Sequence, residues 1–199
     1  MNHWPADLPT ARAALWKRLN ESHVAPLVEL ADDLAAGRGM VRGAVPYPDP
    51  DGGGVRARVL FLLNDPGDGA KNVGGGSGML TILNTDMTSS KQRKAVDHTG
   101  FDRGAALHWN GIPWPVAKAD RSRQITPAAT ALLRLLDMLD DLNGVITLGE
   151  FALKVWTAAN RRTGQHHGLE HVHSAHPERS SYVALDAAYA RAAEIATRG

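Results

Sequence analysis

The chain has 199 residues, 43% of them hydrophobic, which is enough for one domain with a full core, and no apolar run is long enough to cross a membrane. It has no cysteine, which excludes disulfides, cysteine nucleophiles, iron–sulfur clusters and thiolate zinc sites. The formal net charge is only +1, so any nucleic-acid surface has to be a local basic patch.

The N-terminal region predicts helices followed by turns. Residues 1–45 predict two helices, over 10–19 with Thr10 as the cap and over 25–36 with a proline in its first turn. Residues 46–54 hold three prolines and three glycines, a composition typical of a turn-rich connection.

Nothing in the composition divides the chain further. No internal repeat is present, so we expect a single domain over 1–199, with its α/β core over 55–199. The N-terminal stretch lacks the basic start and the apolar run of a signal peptide, which predicts a cytoplasmic protein.

Four short segments in the remaining chain predict strands. The run at 59–63 is apolar throughout, as in a strand buried on both faces of a parallel sheet. The other candidate strands cover 105–109, 144–148 and 169–174. Helices are expected over 79–97, 127–141, 150–162 and 181–197, with Pro127 at the first position of the second one. Strands that alternate with helices predict an α/β fold, a three-layer αβα sandwich around a mainly parallel four-stranded sheet.

Polar residues stand where three of these strands end. Asn64 and Asp65 follow the first strand, Asn110 follows the second, and His176 comes shortly after the last. Ligands of open α/β sheets bind at the carboxyl ends of the strands. Each residue alone is as consistent with a turn as with a site, but the combination at one edge of a sheet indicates a function.

These segments resemble the motifs of the uracil-DNA glycosylase superfamily. Residues 63–67 (LNDPG) match a first motif of the form Gly-x-Asp/Glu-Pro-Tyr/Gly, and 109–114 (WNGIPW) match the Asn that ends the next strand. Residues 176–181 (HPERSS) match a closing His-Pro-Ser-x-x-Ser motif, and 145–152 are similar to the strand–turn–helix segment of the family. The resemblance covers residues 55–183.

The chain also departs from that pattern. Leu63 stands where the first motif usually has glycine, and the cysteines of the iron–sulfur members are missing. No aromatic residue lies in 74–80 to stack on a base, which leaves Met79 for that role. Arg179 or Ser180 takes the place of the apolar wedge that follows His-Pro. These differences indicate an unusual, cysteine-free branch.

The resemblance implies a DNA repair glycosylase that needs no cofactor or metal and acts on a base flipped into a pocket. Asp65 would stabilise the cationic sugar and position water, and His176, as a neutral ring, would donate to the leaving base. Asn110 would recognise the edge of uracil or of a related deaminated base such as hypoxanthine or xanthine. Asn64, Gly67, Met79 and Trp114 would line the pocket.

DNA is the expected partner of a monomeric protein, and its phosphates need a basic or hydroxyl-bearing surface. The candidates for phosphate contacts are Ser89, Ser90, Lys91, Arg93, Lys94, Lys118, Arg121, Arg123, Arg179, Ser180 and Ser181.

Two other functions stay open. A zinc hydrolase is suggested by five histidines close together, His166, His167, His171, His173 and His176. His171 and His173 would face the same side of a strand, but no His-Glu-x-x-His motif supports a metal site. A non-catalytic DNA-binding protein of the same fold is the second alternative. The glycines within 74–78 lack the Gly-Lys-Ser/Thr that a phosphate-binding loop requires.

Overall fold

The computed structural model describes residues 4–72, 76–163 and 168–198. In these ranges the helices are α1 (Leu8–Leu15), α2 (Ala25–Ala36), α3 (Met87–Thr99), α4 (Arg121–Leu136), α5 (Glu150–Thr163) and α6 (Tyr182–Ala196). The strands are β1 (Tyr47–Pro48), β2 (Val59–Leu63), β3 (Met79–Leu80), β4 (Ala106–Asn110), β5 (Gly144–Leu148) and β6 (Glu170–Ser174).

The central sheet is parallel, with the strand order β4-β2-β5-β6. Leu63 at the end of β2 lies beside Asn110 of β4 and beside Leu148 of β5, and Leu148 lies beside Ser174 of β6. The four strands therefore end level with one another. All residues of β2 and β5 are buried, as the apolar run at 59–63 predicted for the first of them.

Helices cover both faces of this sheet. Leu60 and Leu62 of β2 pack in one core cluster with residues of α2, α4 and α5. Val59 and Phe61 pack in a second cluster with residues of α3 and α6. Because side chains alternate along a strand, one apolar segment supplies both cores. The predicted three-layer sandwich is confirmed.

The helix predicted over 79–97 is wrong at its start. Met79 and Leu80 form β3, which pairs in parallel with β1 inside the segment predicted to be turns. The helix begins only after Asp86, whose carboxylate accepts a hydrogen bond from the Ser89 amide at 2.9 Å. A carboxylate cap of this kind favours a helix start at that residue.

The helix predicted over 127–141 is also wrong at both ends, because α4 runs from Arg121 to Leu136. Pro127 lies inside the helix, where it lacks the amide for one backbone bond. The turn before it is held by tertiary contacts: Ile125 packs on the core, and the Gln124 side chain accepts a 3.1 Å bond from an indole. The longer helix brings Arg121 to the edge where the strands end.

The prediction that Thr10 caps the first helix is wrong. The Asp7 carboxylate accepts a hydrogen bond from the Thr10 amide at 3.1 Å, so α1 starts at Leu8 and ends at Leu15. The structure confirms α2 over the predicted residues. Across the described ranges, no helix combines the length and the apolar character needed to span a bilayer.

Candidate functional site at the carboxyl edge of the sheet

The level strand ends bring the three main candidates to one edge of the sheet. Asp65 follows β2, Asn110 closes β4 beside it, and His176 follows β6 on the far side of β5. The sheet extends slightly past its strands, since the Gly111 amide donates to the Leu63 carbonyl at 2.6 Å. Parallel topology therefore sets the relative positions of residues that lie far apart in the sequence.

The Asp65 carboxylate forms an ion pair with Arg121, the first residue of α4. The Arg121 Nη2 atom lies 2.7 Å from Oδ1 and 2.9 Å from Oδ2 of Asp65. The Asp65 side chain is only 6% exposed and that of Arg121 is 23% exposed. The sequence predicted that Arg121 contacts a DNA phosphate, whereas in the structure its guanidinium pairs with the expected catalytic carboxylate.

His176 lies in a compact turn and is half-buried. The amides of Arg179 and Ser180 donate to the His176 carbonyl at 2.8 and 2.9 Å. Burial is the main cause that lowers the pKa of His176 below its ordinary value of 6.5. Glu178 and Asp65 raise that pKa, and Arg121 and Arg179 lower it further. The ring is therefore neutral at pH 7, and it interacts electrostatically with the Asp65–Arg121 pair.

Asn110 is buried with an unused donor. The residue is 2% exposed, and its Nδ2 atom has no hydrogen-bond partner within the described part of the chain. A buried donor without a partner costs about 1–3 kcal/mol. Such an atom is a candidate for binding an acceptor on a ligand.

Asn64 has a role that sequence reasoning missed. Its side-chain Oδ1 accepts hydrogen bonds from the amides of Phe151 and Ala152 at 3.0 and 3.1 Å, and so caps the start of α5 from a different segment. Gly149 makes this contact possible, because it adopts a φ of +115° and a Cβ there would lie 2.6 Å from the Asn64 amide. Asn64 thus fixes the turn between β5 and α5 next to Asp65.

Phe151 is an aromatic residue at this edge that sequence reasoning also missed. Its half-buried ring lies 5.6 Å from the Arg121 guanidinium carbon and 5.1 Å from the Lys154 ammonium. The sequence pattern placed the stacking residue within 74–80, where no aromatic residue occurs. The position of Phe151 just after the third core strand was the signal that could have found it.

Two of the expected pocket residues are packing residues in the structure. Met79 is completely buried in a small cluster with Leu15 and Leu83, so it has no surface with which to contact a base in this conformation. Trp114 is buried beneath the Arg38 guanidinium, which lies 3.0 Å from the centre of its ring. Gly67, by contrast, is exposed in the turn after β2.

Several of the candidate phosphate contacts instead support the fold. Lys91 donates to the carbonyls of Glu178 and Ser180 at 3.2 and 3.0 Å, and so connects α3 to the turn that holds His176. Arg93 donates to the carbonyls of Ile82 and, at 2.7 Å, Asn84. Burial lowers the pKa of Arg93.

The hydroxyl candidates are used in a similar way. Ser180 is buried and donates to the Ala175 carbonyl at 3.0 Å, and Ser181 caps α6 by accepting a bond from an amide at 3.2 Å. Ser89 is buried beside the Asp86 cap. The hydroxyls of Ser89 and Ser180 therefore donate within the protein, and that of Ser181 accepts in a helix cap.

Three of the remaining cations are more accessible, and a fourth, Lys94, contacts the Tyr182 hydroxyl at 3.2 Å. Arg179 is exposed in the turn after His176. Arg123 has 83% of its side chain exposed and pairs with Asp120 at 3.3 Å, which contributes little to stability. Lys118 is exposed just before α4. These cations have acidic neighbours: Asp120 pairs with Arg123, Lys118 acts on the exposed Asp68, and Arg179 acts on Glu150.

The histidine-rich strand β6 lies at the edge of the sheet. His171 Nε2 and His173 Nδ1 each lie 3.0 Å from the Thr147 hydroxyl, and both histidines are on the same side, as expected. Among the residues that the structure describes, no three metal-binding side chains come together. His166 and His167 lie outside the described residues.

The sequence matches no protein-family model, and no curated protein matches it. Function therefore has to follow from the chemistry of the residues at this edge of the sheet.

Proposed function

We propose that the protein hydrolyses the N-glycosidic bond of uracil, or of a related deaminated base, in DNA after the base has been flipped out of the duplex. In this reaction the bond between the sugar C1′ and the base nitrogen breaks, and its electron pair leaves with the base. A water oxygen bonds to C1′ and loses a proton, and the departing base gains one. Flipping a base costs roughly a few kcal/mol, so the pocket has to offer specific contacts in return.

Asp65 and His176 suit the two charges that develop. A carboxylate next to C1′ stabilises positive charge on the sugar, and a neutral imidazole N–H stabilises negative charge on the base oxygen. The lowered pKa of His176 keeps the ring in the neutral form that this role needs. The Asp65 side chain is 6% exposed and His176 is half-buried, and removal from water strengthens their electrostatic effect.

The buried amide of Asn110 is the observation that carries the proposal. Its Nδ2 donor lacks a partner in the described chain, and an acceptor on a bound base would supply one. An amide has a donor and an acceptor side by side, which complements the carbonyl and imide N–H of uracil. A buried amide at the end of a core strand is otherwise unfavourable for stability.

The test is cleavage of a uracil-containing oligonucleotide in the presence of EDTA, followed by alkali to break abasic sites. We expect product with the wild-type protein and a loss of about 10²- to 10³-fold in rate for Asp65→Asn and for His176→Ala. Asp33→Asn and His98→Gln are matched controls, because both residues are exposed and pair with partners away from this edge. A panel of oligonucleotides with hypoxanthine or xanthine identifies the preferred base.

Two outcomes would contradict the proposal. Equal activity of the Asp65→Asn protein and the wild type would remove the carboxylate from the reaction. Activity lost in EDTA and restored by zinc would favour a metal-dependent hydrolase in which the β6 histidines take part.

A non-catalytic DNA-binding protein is the second candidate, because both carboxylate oxygens of Asp65 contact Arg121 in the free protein. Tight binding of uracil-containing DNA with no cleavage, even at high protein concentration and long times, would support that candidate.

A further inference from the structure

The contact between Asp65 and Arg121 has an unusual geometry. Arginine and carboxylate groups bind most strongly as a fork, with two nitrogens facing two oxygens. Here a single nitrogen, Nη2, contacts both oxygens at 2.7 and 2.9 Å. The Nε atom of Arg121 is buried and has no partner among the described residues. The pair therefore leaves one of the donors of the fork unused.

This geometry makes the ion pair between Asp65 and Arg121 easier to separate. A buried N–H without a partner is unfavourable, and Arg121 recovers this cost if its guanidinium moves to a site where more of its donors are bonded. Arg121 is the first residue of α4, so its side chain can move without breaking the helix. The Phe151 ring lies beside the guanidinium, and its apolar face can stay in contact with the Arg121 side chain as that side chain changes position.

The surroundings favour an anion as the new partner. Lys118 lies in the short turn before α4 and Arg179 in the turn after His176, and both side chains are exposed. Arg123, on the first turn of α4, is exposed and pairs with Asp120. Glu178 and Asp65 are the acidic groups that act on His176 at this edge. A DNA strand bound here would bring phosphates close to Arg121, and phosphate accepts a two-nitrogen fork as well as carboxylate does.

We propose that Arg121 is a positioning residue that covers the Asp65 carboxylate in the free protein and transfers to a backbone phosphate when DNA binds. This inference rests on the proposed function, because the uncovered carboxylate is the one that faces the sugar. The transfer links exposure of the reactive group to the presence of substrate. It also explains why a catalytic carboxylate is held in an ion pair when no DNA is bound.

The first experiment measures binding to an oligonucleotide that contains a tetrahydrofuran abasic analogue, which cannot be cleaved, over a series of salt concentrations. For Arg121→Gln we expect about tenfold weaker binding at low salt, and a salt slope smaller by about 0.7 to 0.9 because one phosphate contact is lost. Arg121→Lys should keep the slope of the wild type. Arg134→Gln is the matched control, since Arg134 lies on the same helix and pairs with Asp33 on the surface.

The second experiment follows the carboxyl ¹³C resonance of Asp65 in labelled protein. In the wild type, saturating DNA should change the chemical shift of the Asp65 carboxyl carbon. The new value should equal the one measured for Arg121→Gln without DNA. With saturating uracil-containing DNA, the single-turnover rate of Arg121→Gln should equal or exceed that of the wild type, since the arginine has already left the carboxylate at that stage.

An unchanged salt slope in Arg121→Gln, or an Asp65 resonance that DNA does not move, would overturn the proposal. A rate reduced a hundredfold at saturation would also overturn it, because Arg121 would then act in the chemical step. If the wild type binds DNA but cleaves no uracil, the proposed function fails, while the slope and the resonance still decide whether Arg121 transfers.

Discussion

The two ends of the central sheet use their polar groups differently. At the amino end, Arg58 donates to the carbonyl of Ala196 at 3.3 Å, and the Asn143 amide donates to the carbonyl of Ile195 at 3.3 Å. Glu170 pairs with Arg191 at 2.5 Å. All three interactions attach the sheet to α6, so polar groups at this end stabilise the fold.

At the carboxyl end, Asn64 and Ser180 also support the fold, but two other polar groups lack a partner. Asn110 Nδ2 and Arg121 Nε are both buried without a partner in the described ranges, and the single nitrogen that holds Asp65 leaves the arginine fork incomplete. Hydrogen bonds that are missing from a folded protein are costly. The two ends therefore differ in hydrogen bonding: the polar groups named at the amino end are paired, and two buried donors at the carboxyl end lack partners among the described residues.

The largest effect should come from Asn110→Leu, a change of similar size that removes the unpaired amide. We expect the single-turnover rate of uracil release to fall by about 10²- to 10³-fold. The free energy of unfolding should stay the same or rise, because the cost of the buried donor, about 1–3 kcal/mol, disappears. Urea denaturation and oligonucleotide cleavage measure the two quantities.

Asn143→Leu is the matched change at the opposite end of the sheet. It removes hydrogen bonds to the end of α6, so the free energy of unfolding should fall by about 1–2 kcal/mol, while the rate of the folded protein stays unchanged. The comparison between the ends fails if Asn110→Leu destabilises the protein as much as Asn143→Leu does and leaves the rate intact.

A smaller effect, on stability, is expected for Gly149→Ala. The left-handed φ of +115° and the 2.6 Å approach of a Cβ to the Asn64 amide both oppose a side chain there. We expect a loss of about 2–4 kcal/mol in the free energy of unfolding, measured by urea denaturation. Gly168→Ala is the control, because its Cβ would meet nothing within 4 Å. A Gly149→Ala protein as stable as this control would show that the Asn64 cap is dispensable.

The smallest effect concerns pH. Because the pKa of His176 is lowered from 6.5, the rate should be flat near neutral pH and should decrease, by up to about tenfold per unit, as the pH falls through the lowered value. The stability that the neutral, buried ring contributes is likewise present above pH 6.5 and is lost in acid. A pH–rate profile checks this, and His176→Gln should lack the decrease at that pH. A decrease that persists unchanged in His176→Gln would assign it to another group.

Much of the fold could be predicted because the core strands are encoded locally. The apolar segments 59–63 and 144–148 match β2 and β5 residue for residue. The starts of α3 and α4 could not be predicted in the same way. They depend on the Asp86 carboxylate and on contacts between Gln124 and a distant tryptophan, which outweigh the pattern of apolar residues.

The candidate site was likewise predicted only in part. Asp65 and His176 were predicted because they follow candidate strands, and Asn110 was predicted mainly from the resemblance to a known family. The roles of all three stay predictions. The side chains that contact these residues from distant segments were not predicted. Arg121 is 56 residues from Asp65 in the chain, and Phe151 is 87 residues from the Asn64 side chain that caps it. Contacts over such distances exist only once the sheet and α4 have assembled.

The order of the strands gives Asp65 and His176 backbone neighbours of different stability. Asp65 follows β2, which is buried throughout and has a hydrogen-bonded strand on each side, whereas His176 follows β6, which is half-exposed and borders only β5. Backbone amides of β6 should therefore exchange with deuterium long before those of β2, because edge elements with little buried surface open locally. We therefore expect the backbone that carries His176 to open locally more often than the backbone that carries Asp65.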